Sequence, residues 1–276
     1  MFNTLIDCNS LLTNLNNPDW LIFDTRYDLT NKDAGKEAYQ QGHIPGAIYV
    51  DLHDDLSGPP ITNRGRHPLP TVATMNSLFS RLGINKDSQV VVYDDVFGSF
   101  AARFWWMLRH MQHKNVAVLD GGWQAWIESN LPVNSNSEKP LSSLFSQSAL
   151  DDDLVEIEHV QEYDKIVDSR DPARFRGDFE PIDKAAGHIP GAINRFWKHN
   201  LTESGKFKEK ADLKVEFEAL FGSLAPENTV FYCGSGVTAC HNLLAANHAG
   251  FQMPKLYAGS WSEWSNTPGK PVATGD

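Results

Sequence analysis

The strongest constraint on this chain is an internal repeat. Each half opens on a buried-strand pattern that ends in an acid, with an arginine two residues on: Leu21-Ile22-Phe23-Asp24-Thr25-Arg26 and Ile166-Val167-Asp168-Ser169-Arg170. Next come Gly42-His43-Ile44-Pro45-Gly46-Ala47-Ile48 and Gly187-His188-Ile189-Pro190-Gly191-Ala192-Ile193. An apolar strand closed by tyrosine follows in both halves, Val90-Val91-Val92-Tyr93-Asp94 and Thr229-Val230-Phe231-Tyr232-Cys233. Each half then reaches a glycine turn and two tryptophans three apart, Gly121-Gly122-Trp123 to Trp126 and Gly259-Ser260-Trp261 to Trp264. The offset between copies only drifts, from 145 (Gly46 to Gly191) to 138 (Trp123 to Trp261), and the order never changes. A long, nearly fixed period of this kind marks a duplicated folding unit. A chain of 276 residues has room for two such units, each with its own core.

Within each half, short Val/Ile-rich strands alternate with segments of helical period such as Ala101 to Met111 and Thr238 to Ala249. That alternation predicts α/β domains, each a parallel sheet flanked by crossover helices. The expected boundaries are 1–132 for the first domain and 151–276 for the second. Residues 133–150 (VNSNSEKPLSSLFSQSAL), rich in Ser, Asn and Pro, read as a linker. In parallel sheets ligands sit beyond the carboxyl ends of the strands, so the residues after Tyr93 and Tyr232 are the candidate sites.

The net charge of −11 argues against general affinity for nucleic acid or an anionic membrane, because both need clustered Lys and Arg. An anionic substrate must then meet a local positive pocket. Cys8, Cys233 and Cys240 are odd in number and form no CxxC pair, which supports neither a disulfide framework nor a zinc ribbon. The ten histidines show no HxxxH or HExxH spacing, so no metal is expected. No basic-plus-apolar leader opens the sequence and no run of about 18 apolar residues occurs, so a soluble cytoplasmic protein is the expectation.

The two halves part company at one position. After Tyr232 the chain reads Cys233-Gly234-Ser235-Gly236-Val237-Thr238 and runs into a helical segment. Two glycines allow a tight turn in which successive N–H groups converge on the sulfur at a helix start. Such a cradle favours the thiolate, the nucleophilic form of cysteine. The plain alternative is a buried cysteine at a strand end; Cys8 and Cys240 are read that way. In the first half the same position is Asp94, which cannot carry sulfur, so that half is expected to be catalytically silent.

Together these residues resemble the tandem-rhodanese sulfurtransferases, over nearly the whole chain. The CGSGVT loop is similar to that of the 3-mercaptopyruvate sulfurtransferases, whereas thiosulfate-using rhodaneses typically carry two basic residues where this chain has Gly234 and Ser235. The resemblance implies that Cys233 takes sulfur from 3-mercaptopyruvate as a persulfide, releases pyruvate, and passes the sulfur to a thiol or cyanide without a cofactor. It further implies a small-molecule sulfur donor and an acceptor such as thioredoxin or a low-molecular-weight thiol. Gly234, Gly236, Val237 and Thr238 would line the donor site, and Arg174, in Ala173-Arg174-Phe175, would hold the substrate carboxylate. The second arginine that such enzymes often carry after a Glu-Pro pair is absent beyond Glu180-Pro181, where Lys184 is the candidate substitute. The resemblance also implies a proton relay of Ser235 with His43 and Asp33. Asp24, Arg26, Asp168 and Arg170 read as loop fasteners, and the four tryptophans as packing.

Three other readings compete. Thiosulfate could be the donor, or the loop could belong to a persulfide carrier that does not turn over. A cysteine phosphatase needs arginine at the end of a Cys-x5-Arg loop, and here that position is Ala239.

Overall fold

The computed structural model describes residues 1–61 and 64–276 and divides them into two units. Unit 1 comprises Met1–Ser57, Pro70–Leu150 and Ser204–Lys206; unit 2 comprises Gly58–Leu69, Asp151–Glu203 and Phe207–Asp276. The segment 58–69 therefore belongs with the second half, although it lies in the first half of the sequence.

Unit 1 runs β1 (Leu5–Ile6), α1 (Cys8–Asn14), β2 (Trp20–Asp24), α2 (Ala34–Gln41), β3 (Ala47–Tyr49), α3 (Val72–Arg81), β4 (Gln89–Tyr93), α4 (Ala101–His110), β5 (Val116–Leu119) and α5 (Gly122–Glu128). Its sheet is parallel throughout, in the order β1-β5-β4-β2-β3. β4 is buried along its whole length, as a parallel strand covered on both faces must be, which is why it reads as an unbroken apolar run. Unit 2 repeats the plan with β6 (Lys165–Asp168), α6 (Pro172–Arg176), β7 (Ala192–Asn194), α7 (Lys210–Phe221), β8 (Thr229–Tyr232), α8 (Ala239–His248), β9 (Lys255–Leu256) and α9 (Ser260–Trp264). Its sheet is also parallel, in the order β7-β6-β8-β9.

The repeated motifs turn out to be fasteners, and they fasten each unit in the same way. β2 pairs with β4 so that Asp24 faces Tyr93, and β6 pairs with β8 so that Asp168 faces Tyr232. Arg26 donates to Asp24 and to the Gly42 carbonyl (2.7 Å), while Arg170 donates to Asp168 and to the Gly187 carbonyl (2.6 Å). Each guanidinium lies over the first tryptophan of its own repeat, Arg26 on Trp123 at 4.5 Å and Arg170 on Trp261 at 4.8 Å. The second tryptophan donates to the carbonyl of a following proline, Trp126 to Pro132 and Trp264 to Pro271, at 2.8 Å in both units. Gly46 and Gly191 take φ near +82° and +84°, the left-handed region open chiefly to glycine, which explains why the turn is written with that residue.

The segment 133–150 differs from the linker expected of its composition. Asn134 and His43 exchange backbone hydrogen bonds, Asn76 bonds the backbone of Gln147, and Ser80 bonds that of Phe145. Phe145 is buried against Phe79 at 5.1 Å between rings. The side chains that hold the stretch are those of Asn76 and Ser80 on α3, which bond the backbone of Gln147 and Phe145, and Ser143 Oγ donates to the Ile84 carbonyl; the stretch is part of unit 1. No helix among the described residues is long and apolar enough to cross a membrane.

Candidate active site

The site is built at the carboxyl end of β8 in unit 2. Cys233 is buried at 2% exposure immediately after the strand. Its amide donates to Ser260 Oγ at 3.1 Å, and its carbonyl accepts from the Trp261 amide at 3.0 Å. Ser260 holds φ +57°, a conformation that costs a non-glycine residue about 1 kcal/mol or more and that tends to mark functional sites. The matching position in unit 1 is Gly122, also at +57°. Gly236 turns the loop at φ +75°, and a Cβ there would lie 2.2 Å from the Ala258 carbonyl oxygen, so only glycine fits. Val237 is buried, and Thr238 caps α8 by position without a side-chain hydrogen bond.

Asp94 is the structural counterpart of Cys233, since its carbonyl accepts from the Trp123 amide at 2.8 Å just as that of Cys233 accepts from Trp261. The Asp94 carboxylate is fully buried and receives the amides of Val96, Gly98, Phe100 and Ala101, each at 2.8 Å. Burial pushes this carboxyl up, and the four amide donors work in the other direction. The loop before this helix is thus an anion cradle filled by the chain's own side chain.

Ser235 is buried, and its Oγ lies 2.8 Å from Nδ1 of His67. His67 and its neighbours come from the segment 58–69. The Arg66 amide donates to Ser262 Oγ at 3.0 Å, and a Cβ on Gly65 would lie 2.5 Å from the Gly259 carbonyl oxygen, so the segment runs close against the turn before α9. The Arg66 side chain is 31% exposed and forms an ion pair with Asp183. Arg174, on α6, is 18% exposed and is held by Glu180 (2.7 Å) and by the other oxygen of Asp183 (3.1 Å). The two guanidiniums converge on Gly234: a Cβ there would lie 3.1 Å from Arg66 Nη2 and 3.6 Å from both Nη atoms of Arg174. Burial and the positive charge of Arg174 together lower the Arg66 pKa. A basic side chain in place of Gly234 would therefore meet a place already lined with positive charge.

Within unit 2 the partner of Ser235 is His67, and the two residues the sequence offers for the relay, His43 and Asp33, both belong to unit 1. His43 is fully buried in unit 1, stacked on Tyr39 at 3.9 Å, with Nδ1 at 2.7 Å from the Tyr39 carbonyl. His188 does the same in unit 2, stacked on Phe175 at 3.8 Å with Nδ1 at 2.8 Å from the Phe175 carbonyl. The motif histidine thus packs in the same way in both copies, and the ring beside Ser235 is that of His67. Asp33 is exposed at the start of α2 and makes no side-chain cap. Lys184 is exposed and forms no ion pair among the described residues; the second cation beside Arg174 is Arg66 instead. No repeated motif marks His67 and Arg66. Gly65-Arg66-His67-Pro68 lies where the two halves cease to match. Among the described residues no three His, Cys, Asp or Glu side chains are grouped to hold a metal ion.

The chain belongs to the rhodanese-like domain family, which it matches twice, over residues 7–129 and 150–267. It is 43% identical to the probable 3-mercaptopyruvate sulfurtransferase of Pseudomonas aeruginosa over 99% of this chain and 98% of that one. It is 40% identical to the putative thiosulfate sulfurtransferase SseB of Mycobacterium tuberculosis, covering 92% of this chain and 90% of that protein. Among solved structures, 3-mercaptopyruvate sulfurtransferase from Leishmania major superposes with a TM-score of 0.86 at 28% identity, over 98% of this chain and 76% of that one.

Proposed function

We propose that the protein transfers sulfur from 3-mercaptopyruvate to a thiol or cyanide through a persulfide on Cys233. The sulfurtransferase class follows from the family and its named relatives; the donor and the residue roles rest on the geometry around the loop. The observation that carries the reading is the convergence of Arg66 and Arg174 on Gly234, one residue from the buried cysteine. A carboxylate placed there meets N–H donors from two guanidiniums, which fixes the donor's orientation. The loop amides of 234–238 supply the cradle for the sulfur, by analogy with the amides that hold Asp94 in unit 1.

In the first stage the Cys233 thiolate attacks the donor sulfur. An S–S bond forms, the C–S bond breaks, and its electrons leave with the pyruvate enolate. The proton of the donor thiol ends on the methyl carbon of pyruvate, and the hydrogen-bonded pair Ser235–His67 is placed to carry it. In the second stage an acceptor thiolate attacks the outer sulfur, Cys233 leaves as thiolate, and the acceptor departs as a persulfide; cyanide departs as thiocyanate. Thioredoxin or a low-molecular-weight thiol fits the acceptor role. All three cysteines are free, which suits a reducing, cytoplasmic setting.

Thiosulfate is the competing donor, and a relative carries its name. It brings a second negative charge to a place where Glu180 and Asp183 already offset Arg174 and Arg66. The test is kcat/KM for both donors with cyanide as acceptor. A preference for 3-mercaptopyruvate of at least about tenfold, with one pyruvate released per thiocyanate, is expected. A preference for thiosulfate would overturn the donor assignment, and loading without turnover would reduce the protein to a carrier.

A further inference from the structure

The carboxylates beside the cysteine loop are more numerous than fastening requires. Asp168 and Glu180 already hold Arg170, and Glu180 alone gives Arg174 two hydrogen bonds, at 2.7 and 3.1 Å. Asp183 is an addition to this set. One of its oxygens pairs with Arg66 and the other with Arg174, so a single carboxylate bridges the two guanidiniums that converge on Gly234. Its side chain is 2% exposed, while Arg66 and Arg174 keep their open sides at 31% and 18%. Asp183 therefore acts on the donor through the two arginines, and little water screens it.

Counted with its nearest partners, the group is balanced: Arg66, Arg170 and Arg174 stand against Asp168, Glu180 and Asp183. A singly charged donor meets two oriented guanidiniums in a neutral surround. A doubly charged donor has no surplus positive charge to meet its second charge, and it lies near the thiolate as well. We propose that Asp183 is a specificity-determining residue, which by bridging Arg66 and Arg174 keeps the donor site selective for monoanions over dianions. The inference rests on the sulfur-donor reading above and adds the residue that sets its charge preference.

The test compares native protein with Asp183→Asn and Asp183→Ser. Both variants remove the charge, one keeping the shape and the other not, so a folding defect in one leaves the other informative. kcat/KM is measured for 3-mercaptopyruvate and thiosulfate with cyanide, alongside inhibition by sulfate and by pyruvate. The ratio of thiosulfate to 3-mercaptopyruvate kcat/KM should rise about tenfold or more in both variants, and sulfate should gain as an inhibitor relative to pyruvate. Asp183→Glu, which restores the charge, should return the ratio to near the native value. An unchanged ratio, or an equal fall for both donors, would overturn the proposal and leave Asp183 a fastener. Should the native protein prefer thiosulfate, the donor assignment fails on that measurement alone, while the ratio in the variants still tests the role of Asp183.

Discussion

After β4 the chain turns on Asp94; after β8 it turns on Cys233. The two residues end equivalent strands, and each carbonyl is held by the first tryptophan amide of its own repeat. What differs is the occupant of the amide cradle. In unit 1 a carboxylate fills it permanently, with four amides at 2.8 Å. In unit 2 the strand ends in a small thiol, and the surroundings change to match: Ser260 replaces a glycine, and Arg66, His67 and Arg174 gather around the loop. The loop in unit 1 is closed by its own carboxylate, whereas in unit 2 the same place carries a thiol with two guanidiniums and a histidine-bonded serine beside it, and the proposed function rests on that difference.

If that is right, the histidines of the two units should behave differently on substitution. His67→Asn removes the partner of Ser235 and should lower kcat by about a hundredfold or more, with the fold intact. His43→Asn, which loses only a stacked packing contact and a hydrogen bond inside unit 1, should leave kcat within about twofold while lowering stability by roughly 1–3 kcal/mol. Steady-state kinetics beside thermal unfolding separates the two, and the reverse pattern would restore His43 to the relay.

A smaller effect is expected at the clamp. Arg66→Met should raise KM for 3-mercaptopyruvate and reduce kcat/KM about tenfold to a hundredfold, the worth of one charge-assisted hydrogen-bonded contact. Lys184→Ala, at the position the sequence offered for that role, should change kcat/KM by less than about twofold, because the side chain is exposed and unpaired among the described residues. Equal losses in both variants would mean that the clamp is not formed by Arg66.

The silent loop has its own signature. Asp94→Asn leaves some of the four amides facing an NH2 group, which should cost roughly 1–3 kcal/mol in chemical unfolding and leave turnover unchanged. Lost turnover at unchanged stability would assign Asp94 to the chemistry.

The parts of this molecule that could be read from sequence are those whose partners lie in the same repeat. Asp24 and Arg26, Asp168 and Arg170, and the tryptophan pairs recur because each copy fastens itself, so the duplication and both α/β units were legible. Cys233 stood out because it breaks that match. His67 and Arg66 were not legible, since their partners Ser235 and Asp183 lie 168 and 117 residues away and no local pattern links them. The histidine of the repeated turn was the more visible candidate for a reason unrelated to chemistry: its ring packs on Tyr39 as that of His188 packs on Phe175. The attachment of segment 133–150 is not legible in its composition, because the side chains that hold its backbone, Asn76 and Ser80, lie on α3, 71 and 65 residues before their partners.

If only the loop of unit 2 accepts sulfur, intact mass with peptide mapping after incubation with 3-mercaptopyruvate should show one added sulfur atom per chain, on the peptide containing Cys233, and none in Cys233→Ser. Sulfur on Cys8 or Cys240, or loading that persists in Cys233→Ser, would contradict it.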